Sequence, residues 1–335
     1  MNDKIILLAI ESSCDETSAA VVIDGKVLSN ITATQSVHER YGGVVPEMAS
    51  RAHIQNITPV VDVAITDAGI AKNEIKAVAF TNSPGLIGSI MVGACFAKGF
   101  AQALNIPLIA VNHMQAHVLA HFIEHKPQFP FLCLTVSGGH TQIVLCRDFL
   151  DMEVIGTTID DAAGEAFDKT AKMLGLPYPG GPLVDKYAKL GDPNRFKFPM
   201  AEMKDYQFSF SGIKTSVLYF LRAEQKKDPD FVVNNIHDIC ASVQHTIIKM
   251  LMTKLVKAAR ALNIKEVGIA GGVSANSGLR LALKEAGEKH NWRVYIPAFQ
   301  YCTDNAAMIG ITGYYKYLNG EFCDLTATPS ARGTW

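Results

Sequence analysis

A repeated order of hydrophobic runs and small polar turns constrains this chain more than any single motif in it. Residues 4–10 read as a buried strand, Glu11-Ser-Ser-Cys-Asp-Glu-Thr17 as a tight polar turn, and 18–23 as a second strand. Asp24-Gly25 is a type I′ hairpin signal leading into a third strand over 26–34. A long helix is expected over 46–68, with Pro46 in the first turn, where its missing N–H costs nothing. A strand over 77–81, a Gly-rich turn at Ser83-Pro-Gly-Leu-Ile-Gly88, a helix to 104 and a strand over 107–112 complete the first half. The plan restarts at Phe131 with strand 131–136, turn Ser137-Gly-Gly-His-Thr141, strands 142–146 and 152–157 and helix 161–174. It closes with helix 231–262, strand 266–270, turn Gly271-Gly-Val-Ser274 and helix 275–289.

No residue-level repeat accompanies this order, so the duplication is architectural. The expectation is an α/β protein of two lobes, 1–125 and 126–335, facing each other around a central cleft. A chain of 335 residues is long enough for both. In open α/β sheets ligands bind in crevices at the carboxyl ends of strands, where these polar turns lie. The stretch 177–211 is rich in Pro, Gly and aromatics and too long for an ordinary loop, which points to a functional insert.

Hydrophobic residues make up 48% of the chain and charged residues 19%, which argues for a large core and against disorder. Lys plus Arg is 31 and Asp plus Glu 32, a net charge of −1, so any RNA must meet a local basic patch or be held partly by other subunits. The seven cysteines are dispersed with no C-x-x-C pair, which reads as reduced thiols in a cytoplasmic protein. The apolar run 5–10 is too short for a signal peptide. Lys98, Gln102 and Pro107 interrupt the apolar stretch 86–111, so no segment is expected to span a membrane.

His113-Met-Gln-Ala-His117 follows a strand. If helical, its i, i+4 spacing puts both imidazoles on one face, and His121 continues the stripe. Two ligands of one metal ion and a polar helix face carrying three histidines fit that spacing equally well. Met114 stands where the H-E-x-x-H general base of zinc proteases would be. A third ligand could come from Asp304 in Cys302-Thr-Asp-Asn305, though on spacing alone Thr303 or Asp304 reads better as a helix N-cap. Three turns have the small residues of an anion cradle: Glu11 to Asp15 with Ser13, Ser137 to His140 with Gly138 and Gly139, and Gly271-Gly272 to Asn276. No Walker or dinucleotide-binding pattern is present. Asp161, Glu165 and Asp168 at i, i+4 and i+7 give either a solvated acidic face or a face for ribose hydroxyls or an amine. Phe208-Ser-Phe-Ser-Gly-Ile-Lys214, with Arg195 and Lys197, mixes aromatics and cations as single-stranded RNA binders do. A partly buried hairpin with snorkelling lysines is the favoured reading there.

Taken together these segments resemble the bacterial TsaD family, the tRNA threonylcarbamoyladenosine transferases of the actin-like, sugar-kinase and Hsp70 superfamily. The resemblance rests on Ile10 to Thr17, Tyr41-Gly-Gly-Val-Val-Pro-Glu47, Asn112 to His117, Val136 to Thr141, Asp160-Asp-Ala-Ala-Gly-Glu-Ala-Phe-Asp-Lys169, Tyr178-Pro-Gly-Gly-Pro182, Gly271 to Asn276 and Cys302 to Asn305. It implies a duplicated actin-like fold whose last helix packs back on the N-terminal lobe. It also implies transfer of a threonylcarbamoyl group from threonylcarbamoyl-AMP to the N6 amine of the adenosine 3′ of the anticodon, in tRNAs reading codons that begin with A. His113, His117 and Asp304 match the ligands of one divalent metal, iron or zinc. Val136 to His140 match the loop at the substrate's phosphate and carbonyl, and Asp168, Gly181, Asp185 and Asn276 the residues that hold the adenylate. The implied partners are tRNA, a non-catalytic TsaB-like paralogue and a small TsaE-like ATPase. For such chemistry the backbone N–H groups of Ser137 to His140 would stabilise an oxyanion, and His140 would orient or shuttle a proton. A kinase or ATPase of the same fold, and a metal-dependent glycoprotein endopeptidase, are the competing readings. The first has no need of the histidine pair, and the second lacks its general base.

Overall fold

In the computed structural model, residues 4–35, 38 and 41–333 are described. β1 (Ile6–Glu11) is buried at every position, as a central strand covered on both faces must be. It lies in a five-stranded sheet of order β3-β2-β1-β4-β5, formed with β2 (Glu16–Ile23), β3 (Lys26–Thr34), β4 (Ala77–Ser83) and β5 (Leu108–Asn112). β1, β2 and β3 run antiparallel, while β4 and β5 continue parallel to β1. The β2–β3 turn has Asp24 at φ 49° and Gly25 at φ 76°, the two left-handed residues that a type I′ hairpin needs.

Alternation along the strands sorts this first unit into two packed layers. Ile6, Leu8, Ile10, Val78 and Phe80 face α1 (Pro46–Asp67) and α2 (Ile87–Leu104). Leu7, Ala9, Val22 and Ala79 face α10 (Ala306–Leu318). α10 approaches closely because of its glycines. A Cβ on Gly310 would lie 2.5 Å from Val22 Cγ2, and one on Gly313 2.6 Å from Ala79 Cβ. The unit comprises Met1–Pro127, Arg147–Met152 and Pro297–Trp335. By length and composition α2 could cross a membrane, contrary to the expectation from its interruptions. Here Ile90, Ala94, Ala97 and Ala101 on α2 are buried, and the last three join the core against the sheet.

The second unit, Gln128–Cys146 and Glu153–Ile296, repeats the topology. β6 (Phe131–Val136), β7 (Thr141–Cys146), β8 (Met152–Thr157), β9 (Glu266–Ala270) and β10 (Arg293–Tyr295) are ordered β8-β7-β6-β9-β10. Position by position this is the order of the first sheet. Its helices are α5 (Ala163–Met173), α6 (Gly181–Ala188), α7 (Ser211–Gln225), α8 (Phe231–Ala261) and α9 (Ser277–His290).

Two features of the insert differ from the sequence expectation. The stretch 177–211 contains helix α6, and Phe208 to Lys214 runs into helix α7 instead of forming a hairpin. Phe208 and Phe210 are 1% and 0% exposed and join Ile213, Val217 and Leu221 of α7 in the core. Their rings are therefore unavailable for stacking on RNA bases, and truncating either would cost about 3–5 kcal/mol. The Asp160 carboxylate holds the start of α7 by accepting from Phe210 N, Ser209 Oγ and Ser211 Oγ.

Candidate active site

β5 ends at Asn112, whose side chain accepts hydrogen bonds from Met114 N and Gln115 N and so starts α3 (His113–Leu119). The helix puts His113 and His117 on one face, with ring centroids 4.6 Å apart. Asp304 comes in from the loop before α10, its Oδ1 3.3 Å from His113 Nε2 and 3.2 Å from His117 Nε2. The ligand atoms of these three residues lie within 4.8 Å of one another. Asp304 is not the helix cap that spacing favoured. Asn305 is the cap, accepting from Met308 N, and this releases Asp304 towards the histidines. His121 is also buried, but it opens the separate short helix α4 (His121–Glu124) and is not in the cluster.

Behind His113 stands Glu11, the last residue of β1 and wholly buried. Its Oε2 lies 3.1 Å from His113 Nδ1, and Ser13 Oγ lies 3.2 Å from the same nitrogen. The carboxylate also accepts from Ser13 N and Thr81 Oγ1. A carboxylate on one ring nitrogen orients the other as a metal ligand. The turn from Glu11 to Asp15 is thus held in part by the chain's own carboxylate. Glu11 takes the Ser13 N–H that would otherwise be open to a ligand.

The electrostatics favour a cation at this cluster. Burial alone would raise Glu11 and Asp304, but the adjoining His113 outweighs it and holds both below the ordinary carboxylate range. Burial alone would lower His113, but Asp304 and Glu11 hold it well above the ordinary imidazole value. His117 is lowered, first by burial and then by His113. Glu16 nearby is pushed up to about 10 by burial and by Asp304 and Asp15. Both ring nitrogens of buried His117 lack a hydrogen-bond partner among the described residues, so its Nε2 faces Asp304 without an in-line bond. Two imidazoles, one carboxylate, an orphaned ring nitrogen and an orienting acid fit a divalent metal ion.

In the second unit, β6 ends at Val136 and the turn that follows is closed by itself. Ser137 N donates to His140 O, and Ser137 Oγ accepts from His140 N. Gly138 and Gly139 are exposed, and a Cβ on either would meet nothing within 4 Å. Their N–H groups make no hydrogen bond among the described residues. Internal packing does not require glycine at these two positions, whereas close approach of a ligand to the backbone would. At Gly271 packing does require it. Its φ is 83°, and a Cβ there would lie 2.5 Å from Val136 O.

Asp168 Oδ1 accepts from Gly180 N and Gly181 N at 3.0 and 2.9 Å. Its Oδ2 makes no hydrogen bond among the described residues, and burial raises the carboxyl in spite of the two donors. Asp185 and Asn276 are more fully engaged. Asp185 accepts from Ser277 Oγ, Ser277 N and Gln244 Nε2. Asn276 caps α9 through Leu279 N and donates to Gln244 Oε1. Gly272 begins a 3-10 turn, so α9 itself starts at Ser277. Asp161 precedes α5 instead of lying on it, and Lys169 bridges Asp161 and Glu165 at 2.8 and 2.6 Å. The expected face of three carboxylates thus reduces to Asp168.

A family model described as TsaD, tRNA N6-adenosine threonylcarbamoyltransferase, matches residues 26–311. A protein of that name from Christiangramia forsetii is 62% identical over 335 residues, covering 99% of this chain and 98% of its own. One from Porphyromonas gingivalis is 58% identical over 340 residues and covers 100% of both chains. Component A of the (R)-2-hydroxyglutaryl-CoA dehydratase of Acidaminococcus fermentans superposes with a TM-score of 0.55 at 13% identity, covering 94% of this chain and 99% of that one. HypF of T. kodakarensis gives 0.63 at 14% identity over 95% of this chain, which spans 48% of HypF. At such identities only the fold is shared, and it is the duplicated α/β fold of the actin-like ATPases. The family match, with high identity over whole chains, establishes that this chain belongs to the tRNA N6-adenosine threonylcarbamoyltransferase (TsaD) family.

Proposed function

We propose that the chain transfers the threonylcarbamoyl group of threonylcarbamoyl-AMP to the N6 amine of the adenosine 3′ of the anticodon, in tRNAs reading codons that begin with A. The observation that carries this reading is the cluster of buried His113 and His117 with half-buried Asp304, backed by Glu11, in a chain of this family. The new bond joins N6 to the carbamoyl carbon. The bond that breaks is the carbonyl C–O bond of the carbamoyl–phosphate anhydride in the adenylate, so AMP leaves and the amine loses a proton.

An aromatic amine is a weak nucleophile, so holding both reactants in register supplies much of the rate. His113, His117 and Asp304 would hold a divalent ion, Fe2+ or Zn2+, which when bound would supply Lewis-acid stabilisation worth several kcal/mol. Gly138 and Gly139 offer open N–H donors to the oxygen that gains charge, and one such donor is worth about 2.7–4 kcal/mol. His140, in the same turn, orients the amine or passes on its proton. Asp168 presents its unbonded oxygen to the ribose, with Gly181 beside it. Asp185 and Asn276 set the start of α9 at the adenylate. The reaction takes place in the cytoplasm with a TsaB-like paralogue and a TsaE-like ATPase.

The test is reconstitution with tRNA, threonine, bicarbonate, ATP, an adenylate synthase and the two partners, with nucleosides read by mass spectrometry. The expected product is threonylcarbamoyladenosine that disappears when this chain is omitted. Equal modification without it would end the reading.

A further inference from the structure

Between Asp238 and Glu266 the chain has no acidic residue, while Lys249, Lys254, Lys257, Arg260 and Lys265 all fall there. In a protein of net charge −1 this is a marked local excess. α8 carries most of it. Lys249, Lys257 and Arg260, with Thr253 between, follow one another at helical spacing and share a face. Together with Lys289 and His290 of α9 they rim a groove of about 880 Å³, in which Glu285 is the one acidic side chain. The floor is small and apolar, formed by residues such as Val256, Ala282 and Ala286.

The rim cations are not neutralised by carboxylates of the protein. Lys249, Lys257, Arg260 and Lys289 are exposed, and none of them makes a side-chain ion pair among the described residues. Lys254 is spent on the carbonyls of Met203 and Asp205, and Lys257 also reaches Asp205 O at 3.4 Å and lies 5.7 Å from the centre of the Tyr206 ring, contacts that leave its charge unneutralised. His290 is lowered by burial and then by Arg260 and Lys289, the mark of a positive field in the groove. Cations also offset the carbonyl ends of helices, which accounts for Arg260, Lys289 and His290 in the last turns of α8 and α9. That effect does not reach Lys249, three turns earlier. At 1.5 Å per residue the stripe from Lys249 to Arg260 is about 16 Å long, enough to engage a run of phosphates.

We propose that the α8/α9 groove docks the phosphate backbone of the acceptor tRNA. The proposal rests on the reading that tRNA is the substrate, and adds where its backbone is held. Phosphate contacts fix register and orientation without reading sequence, which suits an enzyme acting on several tRNAs. A tight protein partner would be expected to use Trp or Tyr anchors in a desolvated pocket, and this groove offers Met252, alanines, a valine and solvated lysines, with no Trp, Tyr or Phe. α9 connects the groove to the adenylate residues, since its N-terminus is capped by Asn276 and its groove wall begins at Ala282.

The test uses the reconstituted reaction with Lys249→Glu/Lys257→Glu/Arg260→Glu, and with the milder triple change to Gln should the first be poorly folded by circular dichroism. The salt dependence of tRNA affinity, KM for tRNA, kcat and bound metal are measured together. The expected result is a KM for tRNA raised about 10-fold or more and a salt slope smaller by about 2–3, since each lost phosphate contact removes close to one unit. kcat at saturating tRNA and metal content should match wild type. A folded variant with unchanged tRNA affinity and salt slope would overturn the groove assignment and leave the transferase reading intact. A fall in kcat at unchanged KM would also overturn it, because the groove would then meet a protein partner. Wild type that modifies no tRNA would instead sink the transferase reading and this proposal with it.

Discussion

The two units share one strand order and differ in chemistry at the turn after their first strand. In the first unit that strand ends in Glu11, whose buried carboxylate fills the turn, accepts the Ser13 N–H and backs His113. In the second it ends in Val136, and the turn closes on Ser137 and His140, leaving Gly138 and Gly139 open. On the proposed function, one scaffold carries sites of opposite sign. A carboxylate at the strand end draws a cation, whereas bare backbone N–H groups suit an oxyanion. The difference lies in which group satisfies the turn, the protein's own side chain or an incoming ligand.

Breaking the first turn's site should have the largest effect. Asp304→Asn removes the anionic ligand that both imidazoles face, and transfer should fall by about 10³-fold or more, as several kcal/mol of Lewis-acid stabilisation implies. Metal analysis and single-turnover rates on the same sample check this. Gly138→Pro removes one open N–H from the second turn and should lower kcat by about 10²–10³-fold, with bound metal unchanged. Loss of metal in that variant would show that the two turns do not act separately. Glu11→Gln keeps the shape but weakens the hold on His113, so metal affinity should drop about 10–100-fold in a chelator competition. Gly139→Ala should change stability by no more than about 0.5 kcal/mol, because a Cβ there meets nothing, while KM for the adenylate rises. Should thermal unfolding shift strongly instead, the open reading of the second turn fails.

The sheets were largely legible from hydrophobic runs and turn chemistry. β3 matches its expected range because Asp24-Gly25 marks the hairpin, while β1, expected over 4–10, runs from Ile6 to Glu11 and is apolar up to Glu11. α6 and α7 were not legible. Gly180, Pro182 and the surrounding prolines read as loop, and the amphipathic stripe of Ile213, Val217 and Leu221 follows an aromatic pair that suggested a hairpin. The histidine pair was visible because i, i+4 is a local relation. Asp304 was reached through the family resemblance and not through spacing, and the link of Glu11 to His113 was not visible at all, because the partners of both are distant in sequence. Glu11 meets His113 across 102 positions, and a carboxylate at a strand end looks like ordinary turn polarity until that contact is known. Capping rules placed an N-cap near Asp304 but were one residue out, and the true cap at Asn305 frees Asp304 for the cluster.

The most direct test of a metal-assisted transfer site is to measure bound metal and tRNA modification together in His113→Ala/His117→Ala. The account predicts that both are lost while the fold, read by circular dichroism, is kept. A variant free of metal that modifies tRNA at the wild-type rate would contradict it.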